Sequence, residues 1–298
     1  MPESGPMTHG AVGPPAPRRG HPPDLADPAD VRGLARRSGL RLKRRLGQHL
    51  LLDRGAIVAI ADALYPGPED TVWEIGAGMG VLTAELAGRC RRVVAVELDP
   101  ACVRAARGAL RGLANVDLVE ADALRVDADS LGLPDGHLAA GNLPYNLTGA
   151  LLGHLFEARR PPRRAVFLVQ REVARRLASA PGGWSLATVA VRSVADVERL
   201  GDIPAESFLP PPRVSSSIIR MQPARRMPDD ERTEVLRLAR TVFQLRRKTL
   251  RHGLAHALEG DRVQAASVLS SCGIDPGRRP ESLDLEEWRR LARAAGAR

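Results

Sequence analysis

The residues best suited to chemistry in this chain are Gly141-Asn142-Leu143-Pro144-Tyr145-Asn146, which follow a strand-like run over 137–140. An asparagine side-chain oxygen and nearby backbone carbonyls accept hydrogen bonds from a planar amine, and an aromatic ring stacks on its heterocycle. Upstream, Glu74-Ile-Gly-Ala-Gly-Met-Gly80 is a glycine-rich turn suited to an adenosine-containing cofactor. The two together point to methylation of an amino group on a nucleobase. Taken alone, Asn-Leu-Pro-Tyr also fits a plain turn that ends a strand, because Asn and Pro both form turns.

Two acidic residues support the cofactor reading. The glycines Gly76, Gly78 and Gly80 follow a G-x-G-x-G spacing, whereas a dinucleotide site favours G-x-G-x-x-G. They let the backbone turn sharply and approach a ligand without a Cβ clash. Glu97 ends the next strand, about 20 residues on, where a carboxylate accepts from both ribose hydroxyls. Asp99 competes for that role. Asp122 follows the third strand and is placed to accept from an adenine amino group; a helix N-cap is the other reading.

The elements that must position these residues alternate. Strands are predicted over 71–75, 92–99, 116–120, 137–143 and 165–169, with two closing strands over 196–203 and 214–221. Helices are predicted over 56–64, near 81–86 and from Pro100, which suits a first helical turn. Such alternation implies an α/β fold with a mostly parallel sheet and helices on both faces. Ligands bind such sheets at the carboxyl ends of neighbouring strands. Beyond Met221 the pattern turns helical: Val235, Leu238, Ala239, Val242 and Phe243 share one face, and 262–272 and 284–295 also read as helices.

Composition narrows the classes further. The 298 residues suffice for a large domain plus a small one, and 44% are hydrophobic. No apolar run approaches the roughly 18 residues of a membrane span, and no secretory signal opens the chain. Cys90, Cys102 and Cys272 are far apart and lack zinc-ligand spacing, so reduced thiols in the cytoplasm are expected. His21, His137, His154, His252 and His256 form no metal-ligand set. The net charge of +9 favours a polyanionic partner. Lys43 and Lys248 are the only lysines; arginine suits phosphate, but the bias fits a GC-rich genome equally well. Residues 1–30, rich in Pro and Gly, are expected to be a disordered tail. A basic segment follows, with Arg36, Arg37, Arg41, Lys43, Arg44 and Arg45. Arg246, Arg247, Lys248 and Arg251 form a second basic group, and both are candidates for phosphate contacts.

The motifs, in their order, resemble those of the ribosomal RNA adenine dimethyltransferases. Within that family the chain is most similar to the branch that dimethylates two adjacent adenines near the 3′ end of small-subunit (16S) rRNA. The motifs are Leu46-Gly-Gln-His49 with Leu51, Glu74-Ile-Gly-Ala-Gly, Val96-Glu-Leu-Asp99, Asp122-Ala and Gly141-Asn-Leu-Pro-Tyr-Asn146. Gln170-Arg-Glu-Val173, Phe208-Leu-Pro-Pro-Pro-Arg-Val214 and Phe243-Gln-Leu-Arg-Arg-Lys-Thr-Leu250 complete them.

The resemblance implies a Rossmann-like S-adenosylmethionine-dependent methyltransferase sheet over 31–223 and a small C-terminal helical domain over 224–298 that docks RNA. It implies cofactor contacts from His49, Leu51, Gly76, Glu97, Asp122 and Asn142. Asn142, Leu143, Pro144 and Tyr145 form the catalytic group, with Phe208 as a second aromatic wall and Arg246, Arg247 and Lys248 against RNA. The expected partner is rRNA in the small subunit or its precursor, met by a monomer without metal or membrane. The alternatives are a large-subunit (23S) adenine methylase of the macrolide-resistance type and a mainly non-catalytic small-subunit assembly factor. A DNA adenine methylase fits less well, since many of those carry Asp-Pro-Pro-Tyr. Leu50 stands where the family usually has Phe, the stretch 177–184 looks short, and the tail is extra.

Overall fold

The structure, a computed structural model, describes residues 27–37, 39 and 49–296. Most of the expected tail, the basic residues Arg41 to Arg45 and the motif residues Leu46 to Gln48 lie outside the described residues. Helix α1 (Pro28–Arg37) begins within the last residues of that expected tail. Its Val31, Leu34 and Ala35 pack against Leu50, Leu52, Met79 and Ala105. Those apolar positions fall on one face at helical spacing, which is why so short a helix is held by its packing.

The first half of the chain is β1 (Leu50–Leu51), α2 (Arg54–Leu64), β2 (Thr71–Ile75), α3 (Val81–Ala87), β3 (Arg92–Glu97), α4 (Pro100–Ala109) and β4 (Val116–Glu120). There follow β5 (Leu138–Asn142), α5 (Thr148–Glu157), β6 (Arg164–Gln170), α6 (Arg171–Ala178), α7 (Leu186–Arg192), β7 (Ala195–Ile203), β8 (Phe208–Leu209) and β9 (Ser216–Pro223). Seven strands form one sheet in the order β4-β3-β2-β5-β6-β9-β7. The five from β4 to β6 are parallel, and β9 runs antiparallel to both β6 and β7. The fold is thus Rossmann-like, and its two closing strands are the antiparallel part.

The central strands are apolar runs because helices cover both of their faces. Trp73, Ile75, Val94, Val96 and Phe167 face one core with Leu151, Leu155 and Phe156 of α5. Val72, Val93, Ala95 and Val166 face the other with Ile57, Ile60 and Leu64 of α2. Each such side chain contributes roughly 1.5–3 kcal/mol when fully buried. Polar caps fix where the helices begin. The Asp53 carboxylate accepts from the Ala56 N–H at 3.0 Å, and Asp99 from Ala101 at 2.9 Å with Pro100 in the first turn.

After the sheet ends at Pro223 the chain continues as α8 (Asp229–Gln244), α9 (Leu250–Ala257), α10 (Arg262–Ser271) and α11 (Leu285–Gly296). These helices share a core of their own around Val235, Val242, Leu254, Leu269 and Trp288. Trp184 and Val189, from the loop before α7 and from α7 itself, join that core. The helical part is therefore anchored on chain that precedes residue 224.

Candidate active site

The site begins where β2 stops. Gly76, Gly78 and Gly80 adopt φ of 79°, 57° and 87°, a region that side chains rarely tolerate. This lets the turn fold back on β3: the Gly76 and Ala77 N–H groups donate to the Val96 carbonyl at 2.9 and 3.2 Å. A Cβ on Gly80 would lie 2.9 Å from Leu110, and one on Gly78 would lie 3.1 Å from the Leu50 side chain. The turn is thus pinned from both sides. Leu50, in place of the bulkier Phe usual in the family, covers Gly78 closely.

Glu97 ends β3 beside this turn. One carboxylate oxygen accepts from the Gly78 N–H at 2.8 Å and the other from the Asp99 N–H at 2.8 Å. A carboxylate offers about four lone-pair positions, so each oxygen keeps one more. Burial raises the Glu97 pKa, and the amides of Asp99 and Gly78 oppose the rise. Glu74, one residue before the end of β2, is only 1% exposed. Burial, opposed by the neighbouring Thr83 hydroxyl and aided by repulsion from Glu97, pushes its carboxyl up to about 8.

A cleft at the carboxyl ends of β2, β3, β4 and β5 encloses about 1250 Å³, counting the solvent at its mouth. Its walls include His49, Leu51, Gly76, Glu97, Asp122, Asn142 and Pro144. Asp122 sits in a turn with one oxygen accepting from the Leu124 N–H at 3.0 Å and the other 3.7 Å from Arg125. At the end of β5, the Asn142 side-chain amide donates to the His49 carbonyl at 2.7 Å. The His49 imidazole lies 2.7 Å from the Pro210 carbonyl and stacks on Tyr145, with ring centroids 5.6 Å apart. The Tyr145 hydroxyl meets the Ser216 hydroxyl at 2.6 Å. The cleft suits an extended ligand with a vicinal diol at one end and a reactive group near Asn142 at the other.

The family model described as ribosomal RNA adenine dimethylase matches residues 39–295. The chain is 40% identical over 280 residues to a protein named ribosomal RNA small subunit methyltransferase A from Anaeromyxobacter sp. strain K, covering 89% of this chain and 97% of that protein. A protein of the same name from Dehalococcoides mccartyi strain CBDB1 is 36% identical over 255 residues, covering 85% and 88%. The chain belongs to the ribosomal RNA adenine dimethylase family. Among solved structures, the 23S rRNA methyltransferase ErmE aligns with TM-score 0.65 and 27% identity, over 83% of this chain and 99% of that one. A dimethyladenosine transferase from Plasmodium falciparum shares the fold, with TM-score 0.69 and 24% identity over 82% and 96%.

In this ribosomal RNA adenine dimethylase the residues expected from sequence do not all meet in one place. His49, Leu51, Gly76, Glu97, Asp122, Asn142 and Pro144 meet in the cleft. Leu143 is 1% exposed, with its side chain in the core under the sheet, and it does not line the cleft. Tyr145 does not line the cleft; it is half-buried and stacks by one face on His49. Phe208 corrects the expectation of a second aromatic wall. It pairs with Leu51 across β1 and β8, is 3% exposed, and packs in the core with Ile57 and Ile218. Asp122 is followed by a turn and not a helix, so the N-cap alternative lapses.

Arg246, Arg247 and Lys248 are exposed in the turn after α8. Arg246 and Arg247 line a second, shallower cleft with Arg176, Arg279, Trp184 and Phe243. Three contributors escape a reading of the sequence. They are the Glu74 side chain, the His49–Tyr145 stack and the exposed Leu98 at the cleft edge. Glu74 and Leu98 stand inside quoted motifs, but spacing does not report burial.

Proposed function

We propose that this protein is an S-adenosylmethionine-dependent enzyme that dimethylates N6 of two adjacent adenines near the 3′ end of 16S rRNA. It acts as a cytoplasmic monomer on the small subunit or its precursor. The observation that carries the reading is that Asn142 shares one cleft with Glu97 and the Gly76–Gly80 turn. The cofactor brings an electrophilic methyl group on a sulfonium. Glu97 holds the ribose hydroxyls with its two remaining lone-pair positions, and Asp122 accepts from the adenine amino group.

The target amine is a weak nucleophile, because its lone pair is delocalised into the purine. The Asn142 side-chain nitrogen is committed to the His49 carbonyl, which aims its oxygen as an acceptor for the amine. The Leu143 carbonyl is the second acceptor. Together they turn the nitrogen lone pair towards the methyl group, while Pro144 stiffens the turn. Tyr145, held by His49 and Ser216, gives its other face to the purine. Positioning supplies most of the rate, and no strong base is needed once the amine carries positive charge.

Replacing Glu97 with Gln turns one oxygen into a donor facing the Gly78 or Asp99 N–H. Cofactor affinity is expected to fall roughly 10- to 100-fold by calorimetry, as charge-assisted bonds of this kind disappear. Near-unchanged affinity rejects the ribose assignment.

The helical part, residues 224–298, is assigned to RNA docking. Neutralising Arg246, Arg247 and Lys248 is expected to weaken subunit binding. It should also flatten the salt dependence by about 0.7–0.9 in log–log slope for each phosphate that is no longer neutralised. An unchanged slope makes these residues a solvated face only.

A 23S reading draws on the ErmE likeness, but the relatives named for the small subunit are more similar, at 36–40% identity. Transfer of labelled methyl groups to small and large subunits lacking these modifications, with the product nucleosides identified, tests the choice. Dimethyladenosine confined to small-subunit RNA is expected. Label only in large-subunit RNA overturns the reading in favour of the 23S enzyme.

A further inference from the structure

Glu74 is a buried carboxyl that the proposed chemistry does not use. It lies on β2 between Ala95 of β3 and Ala140 of β5, neither of which reaches it with a polar group, and the Thr83 hydroxyl is the polar neighbour that acts on it. It lines the cofactor cleft, yet one of its oxygens has no hydrogen-bond partner among the described residues. The other titratable groups around the same cleft are His49, Glu97, Asp99, Cys102 and Asp122. Asp99 caps α4 and Glu97 accepts two backbone amides, so both are held as acceptors. No lysine or arginine lines the cleft among the described residues. The cleft therefore gathers four carboxyl groups, of which Asp122 has a cation, Arg125, 3.7 Å away.

We propose that Glu74 distinguishes the cationic sulfonium cofactor from its neutral thioether product, giving up its proton only when the cation enters the cleft. The inference rests on the cofactor reading above. A neighbouring positive charge favours the ionised form of a carboxyl, and by linkage the ionised carboxyl favours the cation. Burial holds the free group at about 8, so it is roughly nine-tenths protonated at pH 7. Entry of the cation would expel that proton to solvent and leave a carboxylate in the wall of the same cleft. After transfer the ligand has lost its sulfonium charge and keeps only the opposed ammonium and carboxylate of its amino-acid end, and the lone Glu74 carboxylate takes a proton back. Product, neutral overall, then faces a neutral Glu74 and leaves without a sulfonium to hold it. Affinity for the cation rises with pH by up to about tenfold per unit and levels off above pH 8, whereas affinity for the product does not follow it.

The test is calorimetric titration of the full-length protein at pH 7 with S-adenosylmethionine and with S-adenosylhomocysteine, in buffers of different ionisation enthalpy. The expected release is roughly 0.5–0.9 protons per sulfonium cofactor bound and close to none per product. In Glu74→Gln the release is expected to vanish while product affinity holds, which separates Glu74 from protons lost by the ligand itself. Equal release with both ligands, or release retained in the variant, overturns the inference and leaves the cofactor reading standing. Failure of both ligands to bind overturns the two together.

A second measurement needs no ligand. The folded protein keeps the Glu74 proton between its ordinary value of 4.5 and about 8, where the unfolded chain has lost it. Stability must therefore fall across that window as pH rises. Thermal melts from pH 5 to 9 should show Glu74→Gln gaining on the wild type up to about pH 8. A constant difference across the range overturns the assignment of a buried proton.

Discussion

Asn142→Ala is expected to lower methyl transfer roughly 100- to 1000-fold while the protein stays folded, the loss seen when a single positioned hydrogen-bonding group is removed from a reacting centre. The size follows from what the side chain does. It fixes the direction of the amine lone pair, and a misdirected nucleophile loses the benefit of being held close. The alanine leaves the cleft otherwise intact, because Asn142 sits at the end of β5 and is only half-buried. The structural cost is the bond to the His49 carbonyl, about 1 kcal/mol. Single-turnover transfer at saturating cofactor, with a melting curve beside it, gives both quantities. Near-normal rates in the variant reject the role assigned to this residue. Subunit binding retained by an inactive variant separates an assembly role from catalysis within one protein.

The sheet is legible in the sequence because its strands are short apolar runs that end in the residues that do the work. Ile75 is followed by glycine, and β3 and β5 themselves close on Glu97 and Asn142. That one pattern places each ligand-facing residue at a strand's carboxyl end, where parallel sheets bind ligands. What escapes depends on contacts far apart in the chain. The pair of β1 and β8 joins Leu51 to Phe208, and no local period announces two-residue strands. Phe208 is expected as a base wall from the family resemblance and the scarcity of aromatics, while its Pro-rich neighbours fit ordinary packing. Its register against Leu51 sends it into the core instead. Helix α6 carries little apolar signal, because only Ala174 and Leu177 are buried and Arg171, Glu172, Arg175 and Arg176 interrupt the apolar residues. Glu74 reads as the first letter of a motif. Its unpartnered oxygen shows only once Ala95 and Ala140 are seen on either side.

Gly141→Ala is expected to destabilise the protein by about 3 kcal/mol or to prevent its folding, the upper end of what overpacking costs. Gly141 is the residue before Asn142 and lies in β5, where β2 is about to leave the sheet for the Gly76 turn. A Cβ there would overlap the Ile75 carbonyl oxygen and crowd the Ile75 carbon and nitrogen at 3.2 and 3.3 Å. Those are backbone atoms of a buried central strand, so no side-chain rotation relieves the clash. β2 and β5 would have to separate at the point that sets Asn142 against the cofactor turn. Glycine inside a strand marks such close approaches of one backbone to another. Gly149→Ala is the control, since a Cβ at that position meets nothing within 4 Å and the residue lies inside α5. Alanine in place of a helical glycine stabilises by about 1 kcal/mol or less. Chemical denaturation of the two variants should move the midpoint in opposite directions. A Gly141→Ala midpoint equal to wild type would mean that β2 and β5 part without cost, and that the spacing between Gly76 and Asn142 is not fixed by this contact.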